Sequence, residues 1–281
     1  MSHFEINRTA RDGAALYFQG WETELPAKAV VCLVHGLGEH SGRYAHLAEA
    51  LNKAGYQVIA LDLRGHGKTP GKRGALPNQE AMGKDVSLLL TEATSRYPTL
   101  PQFLYGHSMG GILVLYYTLR YKPRLVGVVS SAPGLRNALD EQKSTVMLVK
   151  ILGSVLPGMT ITSGLDVNAI SRDPGVIERY RADPLVHDKA TLGLGKFLMD
   201  AIQYVYEHAN TWDLPLLLMH GTSDKIAYAE GSTHFASLVK PGCCTLHLWE
   251  GCTHELHNEP EKEEVFAFIV QYLDQRLAGV A

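Results

Sequence analysis

The chain has little of what marks a secreted, membrane-spanning or nucleic-acid-binding protein. Four cysteines in 281 residues form no framework: Cys32 lies in an apolar run, Cys243 and Cys244 are adjacent, and Cys252 stands alone. Neither C-x-x-C nor a Cys/His ligand spacing appears, which argues against a zinc site and leaves reduced thiols in a cytoplasmic protein as the expectation. No sign of charge dominates, with 26 Lys and Arg against 29 Asp and Glu and a net charge of -3, so no nucleic-acid surface is expected. The densest basic stretch, Arg64, Lys68, Lys72 and Arg73, sits in a Gly/Pro-rich loop and reads as solvated. No run reaches the roughly 18 uninterrupted apolar residues of a membrane span. The opening "MSHFEINRTARDG" has no apolar segment of the signal-peptide kind, so none is expected. Internal repeats and low-complexity tracts are also missing.

What is present is an ordinary globular composition, 46% apolar and 20% charged, with an alternating pattern. "FEINRTA" and "ALYFQGW" flank the turn signal "RDG" and predict a hairpin. Then "AVVCLVHG", "YQVIALD", "FLYG", "LVGVVSSA", "LPLLLMHG" and "CTLHLWEG" read as short strands buried on both faces. Helical periodicity fills residues 43–54, 79–96, 109–120, 229–239 and 260–277, with Pro260 suited to the first turn of the last one. Alternating β and α predicts an α/β fold with a mostly parallel central sheet flanked by helices.

The rhythm breaks between about Leu135 and Asn210, where no strand-like run occurs. Within it "TVMLVKILGSVLPGM" is apolar nearly all round, as expected of a helix that is deeply buried or covers something greasy. The expected organisation is a core from 1–134 and 211–281, interrupted by a mainly helical cap over a pocket at 135–210.

Gly106-His107-Ser108-Met109-Gly110 fits G-x-S-x-G between a short apolar run and the helical "GILVLYYTLR". In that setting the chain turns sharply from strand to helix and presents the serine at a helix N-terminus, where N–H groups and the dipole favour negative charge. His107, though adjacent, cannot curl back to accept the Ser108 proton; it is expected to pack beside the sheet with its ring nitrogens hydrogen-bonded. His35 is expected to order the loop "HGLGEH", and His220 to be structural. An acid and a base should follow in that order. Asp224 comes just after the strand "LPLLLMHG" and His254 just after "CTLHLWEG", both beyond strand carboxyl ends, where ligands gather in open α/β sheets. His257 is the competing base. The oxyanion of an acyl-transfer intermediate needs two backbone donors, for which Met109 N–H and Leu37 N–H are the candidates.

"HGLGEHSGRY", "LRGHG", "GHSMGG", "YRADPL" and "EGCTHELHNEP" together resemble the monoacylglycerol lipase family of α/β-hydrolases, from about Phe4 to Leu273. The resemblance implies the α/β-hydrolase fold and Ser108, Asp224 and His254 as triad. It also implies Leu37 and Met109 as oxyanion hole, and Glu39, Arg43, Tyr180 and His257 around the glycerol hydroxyls. Each of these four also has a plainer role available; Glu39 and Arg43, for instance, are spaced to pair along a helix start. The expected reaction is hydrolysis of a monoacylglycerol to fatty acid and glycerol through an acyl-enzyme, with no cofactor or metal. The expected partners are that lipid and, transiently, a membrane surface met by the cap.

A lysophospholipase or broad carboxylesterase would share the triad and differ only in the pocket. "HGLGEH" departs from the HGGPG loop of proline iminopeptidases, and haloalkane dehalogenases and epoxide hydrolases need an aspartate where Ser108 stands. A non-catalytic ligand-binding relative would usually lack one member of the triad.

Overall fold

The computed structural model describes residues 2–138 and 143–279. Residues 139–142 of the predicted cap, and positions 1, 280 and 281 of the predicted core segments, lie outside the described residues. In chain order the elements begin with β1 (Ser2–Thr9), β2 (Ala15–Glu22), β3 (Ala29–Val34), α1 (Ala45–Lys53) and β4 (Tyr56–Leu61). Next come α2 (Ala81–Arg96), β5 (Gln102–His107), α3 (Met109–Tyr121) and β6 (Gly127–Ser131). An insertion follows, made of α4 (Lys143–Val155), β7 (Thr160–Thr162), α5 (Pro174–Ala182), β8 (Lys189–Thr191) and α6 (Leu192–His208). The chain then completes the sheet with β9 (Leu216–Gly221), α7 (Ala229–Leu238), β10 (Cys244–Trp249) and α8 (Lys262–Ala278), which starts two residues beyond Pro260.

Eight strands form one sheet in the order β1-β2-β4-β3-β5-β6-β9-β10. β2 pairs antiparallel with both β1 and β4, and every pairing from β4 to β10 is parallel. Strands this apolar must be covered on both faces, and they are. Along β3, Val30, Cys32 and Val34 pack in one core with Met82 and Val86 of α2 and Leu113 of α3. Val31 and Leu33 point the other way, to Leu47 and Leu51 of α1 and Phe266 and Ile269 of α8. This two-residue alternation is why six consecutive apolar positions feed two cores.

Two expectations are corrected and a third is sharpened. The insertion is not free of strands, because β7 and β8 pair antiparallel over three residues each; runs this short leave no periodic signature. The basic stretch is not simply solvated: Arg64 is buried against Asp85 and Asp12, Lys68 pairs with Glu5, and Arg73 and Lys72 donate to backbone carbonyls of Gly67 and Gly158. Finally, α4 packs on α6, which in turn packs on α3, yet Met147, Leu148, Ile151 and Val155 of α4 face outward. All four cysteines are free thiols. Among the described residues no helix is long and apolar enough to cross a membrane.

Candidate active site

Because β3, β5, β9 and β10 are parallel, the loops after them meet at one edge of the sheet. Ser108 stands in the turn from β5 to α3 with φ 53° and ψ -116°, a strained backbone for a residue with a Cβ. The turn is held from both sides: Ser108 N–H donates to Ser131 O at 3.0 Å, and Ile112 N–H to Ser108 O at 3.0 Å. Glycine is needed around it. A Cβ on Gly106 would lie 2.2 Å from Gly110 O, and one on Gly110 would lie 2.3 Å from Val34 O.

Ser108 Oγ is 2.9 Å from His254 Nε2, and His254 Nδ1 is 2.7 Å from Asp224 Oδ2. Asp224 Oδ1 accepts from Ile226 N–H at 2.8 Å and Ala227 N–H at 3.0 Å, so the carboxylate is fixed in the turn after β9. A hydroxyl, an imidazole and a carboxylate so aligned can move a proton from the hydroxyl as it attacks an acyl carbon. Burial pushes the His254 pKa down, but the Asp224 charge and hydrogen bond outweigh it and leave it above the ordinary histidine value. Burial likewise pushes Asp224 up, and His254 and His220 more than reverse it, holding the carboxyl well below its usual range. Leu37 and Met109 flank Ser108 on the wall of the same cavity, and neither N–H has a backbone acceptor among the described residues. The Leu37 loop is pinned by the insertion: Gly38 has φ 76°, its O accepts from His187 N–H at 2.8 Å, and a Cβ there would lie 2.2 Å from His187 O.

The remaining histidines divide. His35 Nδ1 donates to Gly36 O at 2.7 Å and its Nε2 accepts Leu63 N–H at 2.9 Å, so it ties the first loop together. His220 Nε2 faces Asp224 Oδ2 at 3.1 Å and Ala227 O at 2.8 Å, while its Nδ1 meets Ser232 Oγ at 2.7 Å. With two acceptors before it, Nε2 carries the proton, and His220 steadies the acid rather than Ser108. The expectation for His107 needs correction: its Nδ1 is buried with no hydrogen-bond partner among the described residues. Burial holds this imidazole down to a pKa of about 3, so it is neutral, 4.8 Å ring to ring from His254.

The cavity measures about 680 Å³. Ile112, Val149, Leu194, Leu198 and Ile202 supply apolar wall, and Glu39, Tyr180 and Glu255 a polar corner. Glu39 and Tyr180 therefore reach the cavity. Arg43 and His257 do not line it. Arg43 lies behind Glu39, 2.6 Å from its Oε2, and beneath Tyr180, with 4.6 Å from guanidinium to ring centroid. His257 is fully buried, stacked 4.5 Å from Tyr44, with neither ring nitrogen hydrogen-bonded among the described residues. Burial tends to raise the Glu39 pKa, but Arg43 foremost and the Tyr44 hydroxyl bring it to about 2. Two residues of the corner escaped the sequence reading. Tyr44 OH donates to Glu39 Oε1 at 2.6 Å, and Glu255 pairs with Arg43 across 212 residues, a separation that no local spacing signals.

Of possible cation ligands, Cys252, Glu259 and Glu261 have donor atoms within 4.8 Å of one another. The Arg172 guanidinium already pairs with both carboxylates there.

The fold and the alignment of loops at one sheet edge define an α/β-hydrolase. Residues 26–261 match the family described as "Serine aminopeptidase, S33". A monoacylglycerol lipase of Mycolicibacterium smegmatis is 36% identical over 93% of this chain and 95% of its own length. The crystal structure of Paleococcus ferrophilus monoacylglycerol lipase is 35% identical, covers 98% of this chain and 100% of that one, and superposes with a TM-score of 0.85. An abhydrolase domain-containing protein of Dictyostelium discoideum is 36% identical over 96% of this chain, which spans only 29% of its length. The chain belongs to this hydrolase family, with monoacylglycerol lipases among its relatives, and is a carboxylic ester hydrolase.

Proposed function

We propose that the chain hydrolyses monoacylglycerols to fatty acid and glycerol through an acyl-enzyme. Ser108 Oγ attacks the ester carbonyl carbon as His254 Nε2 takes its proton, and the oxyanion is received by Leu37 and Met109 N–H. Collapse expels glycerol, which leaves with the proton from His254. Water then attacks the acyl-Ser108 ester, His254 again acting as base, and the fatty acid departs. Asp224 keeps Nδ1 protonated and stabilises the imidazolium. The observation that carries this reading is the Ser108–His254–Asp224 hydrogen-bond chain opening into a cavity with apolar walls and one polar corner.

Residues 135–210 act as the cap, the greasy cavity holding the acyl chain and Glu39 and Tyr180 meeting the free hydroxyls. Arg43 and His257 serve from behind, fixing Glu39 and the Tyr44 ring. A corner that hydrogen-bonds free hydroxyls disfavours di- and triacylglycerols, whose acylated positions would leave buried groups unpaired. The exposed Met147, Leu148, Ile151, Val155, Leu156 and Met159 give the cap a face suited to transient contact with a membrane surface.

The test is fatty-acid release from a monoacylglycerol, a triacylglycerol, a lysophosphatidylcholine and a short p-nitrophenyl ester, with wild type and Ser108→Ala. The expected result is a strong preference for the monoacylglycerol and a loss of about 10⁴-fold or more in the variant. Preference for the lysophospholipid or the short ester keeps the triad and overturns the glycerol pocket. A variant as active as wild type overturns both.

A further inference from the structure

Glu255 follows His254 directly, yet the proposed chemistry gives it nothing to do. Glu255 lines the cavity, and its carboxylate turns to Arg43. Arg43 Nη1 donates to Glu255 Oε1 at 2.7 Å and Nη2 to Glu255 Oε2 at 2.6 Å, a two-pronged contact, while Nη1 also reaches Glu39 Oε2 at 2.6 Å. Both carboxylates are anchored independently. Asn258 Nδ2 donates to Glu255 Oε2 at 2.8 Å, Gly36 N–H and Tyr44 OH donate to Glu39 Oε1 at 2.6 Å each, and Glu255 N–H donates to Ile170 O of the insertion at 2.8 Å. Little of this corner meets water: the side chains of Arg43, Glu39 and Glu255 are 10%, 3% and 4% exposed.

An arginine beside the polar end of a lipid cavity would ordinarily read a phosphate or carboxylate, because its planar fork fits two oxygens at once. Here the end of that fork is already taken, Nη1 by both carboxylates and Nη2 by Glu255. Two carboxylates on one guanidinium also leave a formal excess of one negative charge. An anionic head group entering the corner would have to displace Glu255 from a desolvated pair and then sit against two uncompensated carboxylates, which is costly in a low-dielectric site.

We propose that Glu255 sets head-group specificity: by clamping Arg43 it makes the polar corner a charge filter that admits neutral head groups and rejects phosphate monoesters. The proposal rests on the monoacylglycerol reading of the cavity. Two lysines line that cavity as well, Lys150 on α4 and the exposed Lys225 next to Asp224, and an anion seated on them is the competing outcome.

The experiment compares a 1-monoacylglycerol with the 1-acylglycerol 3-phosphate of the same chain, both below their micelle concentrations. The enzymes are wild type, Glu255→Gln and the double variant Glu255→Gln/Arg43→Gln. Wild type should favour the neutral ester in kcat/KM by about tenfold or more, the scale of one charge-assisted hydrogen bond. Glu255→Gln removes one of the two negative charges on the guanidinium and loosens its two-pronged clamp, so it should narrow that ratio by a similar factor, and the double variant should widen it again. A ratio unmoved by Glu255→Gln, or a wild type that takes the phosphate equally well, overturns the filter.

Should Glu255→Gln fail to fold by circular dichroism, wild type alone still decides, through inhibition of p-nitrophenyl ester hydrolysis. Dodecyl phosphate should then bind about tenfold or more weakly than 1-O-dodecylglycerol, and equal or tighter binding overturns the proposal. A wild type that cleaves the p-nitrophenyl ester but no monoacylglycerol sinks the parent reading instead, and the inhibitor pair still tests the filter separately.

Discussion

Helices α3 and α4 are both thirteen residues long and both strongly apolar, and the fold treats them in opposite ways. In α3, Ile112, Leu113, Val114, Leu115 and Leu119 are all buried, since the helix is wedged between the sheet and α6. In α4, Met147 is 65% exposed and Val155 70%. Its covered side is a seam on α6, where a Cβ on Gly153 would lie 2.7 Å from Leu192 O. An all-round apolar helix therefore states how much greasy surface must be accounted for, not how many neighbours will account for it. α3 is packed along most of its surface and begins directly after Ser108, the proposed nucleophile. Among the described residues α4 has neighbours on one side, and its other face is exposed.

The difference is largest in stability. Leu113→Ala removes a fully buried side chain from the core beneath the sheet and should cost about 2–5 kcal/mol in urea unfolding. Ile151→Ala, at a half-exposed position of α4, should change stability by about 0.5 kcal/mol or less. Equal losses would mean that α4 is as tightly integrated as α3, and the contrast would be lost.

A smaller effect probes the loop carrying His254, which the insertion fixes through the Glu255–Ile170 hydrogen bond. As the proposed base, His254 acts only when neutral, and Asp224 holds its pKa above the ordinary value against the downward push of burial. Protonation on the acid side therefore silences the base earlier than in a free histidine, so kcat/KM should fall with a midpoint above about 6.5. In Asp224→Asn the largest upward pull is gone, while burial and the weaker pull of Glu255 and Glu39 remain, so the midpoint of the residual activity should move down. An unshifted midpoint would assign the titration to another group.

Much of this was legible in the sequence because the signals are local. A hairpin around a turn signal and six apolar runs mark the eight strands of the sheet, and the glycine-framed Ser108 implies a close approach of backbones that Gly106 and Gly110 then make. Asp224 and His254 could be named because parallel strands bring their carboxyl ends to one edge, whatever lies between them in the chain. What stayed hidden depends on distant pairing. Arg43 looked like a ligand to the cavity, and only the fold reveals Glu255 drawing it behind the wall. The β7–β8 pair is three residues long and makes no pattern. The exposed face of α4 was invisible for the reason given by α3: periodicity reports composition around a helix, and here it was apolar all the way round.

The smallest expected effect is the sharpest test of that face. The triple substitution Met147→Ser, Ile151→Ser and Val155→Ser removes exposed apolar area without touching Val149 and Lys150, which line the cavity. Against a short soluble ester, kcat/KM should stay within a factor of two or so, because an exposed side chain supports neither the core nor the triad. Against monoacylglycerol dispersed in phospholipid vesicles, the rate should fall by about fivefold or more, since each buried methylene contributes about 0.8 kcal/mol to interfacial binding. Vesicle flotation should show the same loss of bound protein. If both substrates slow together, the face contributes to the cavity's shape and α4 is a wall like α3. If neither slows, the exposed face has no role in reaching lipid, and membrane contact must be sought elsewhere on the chain.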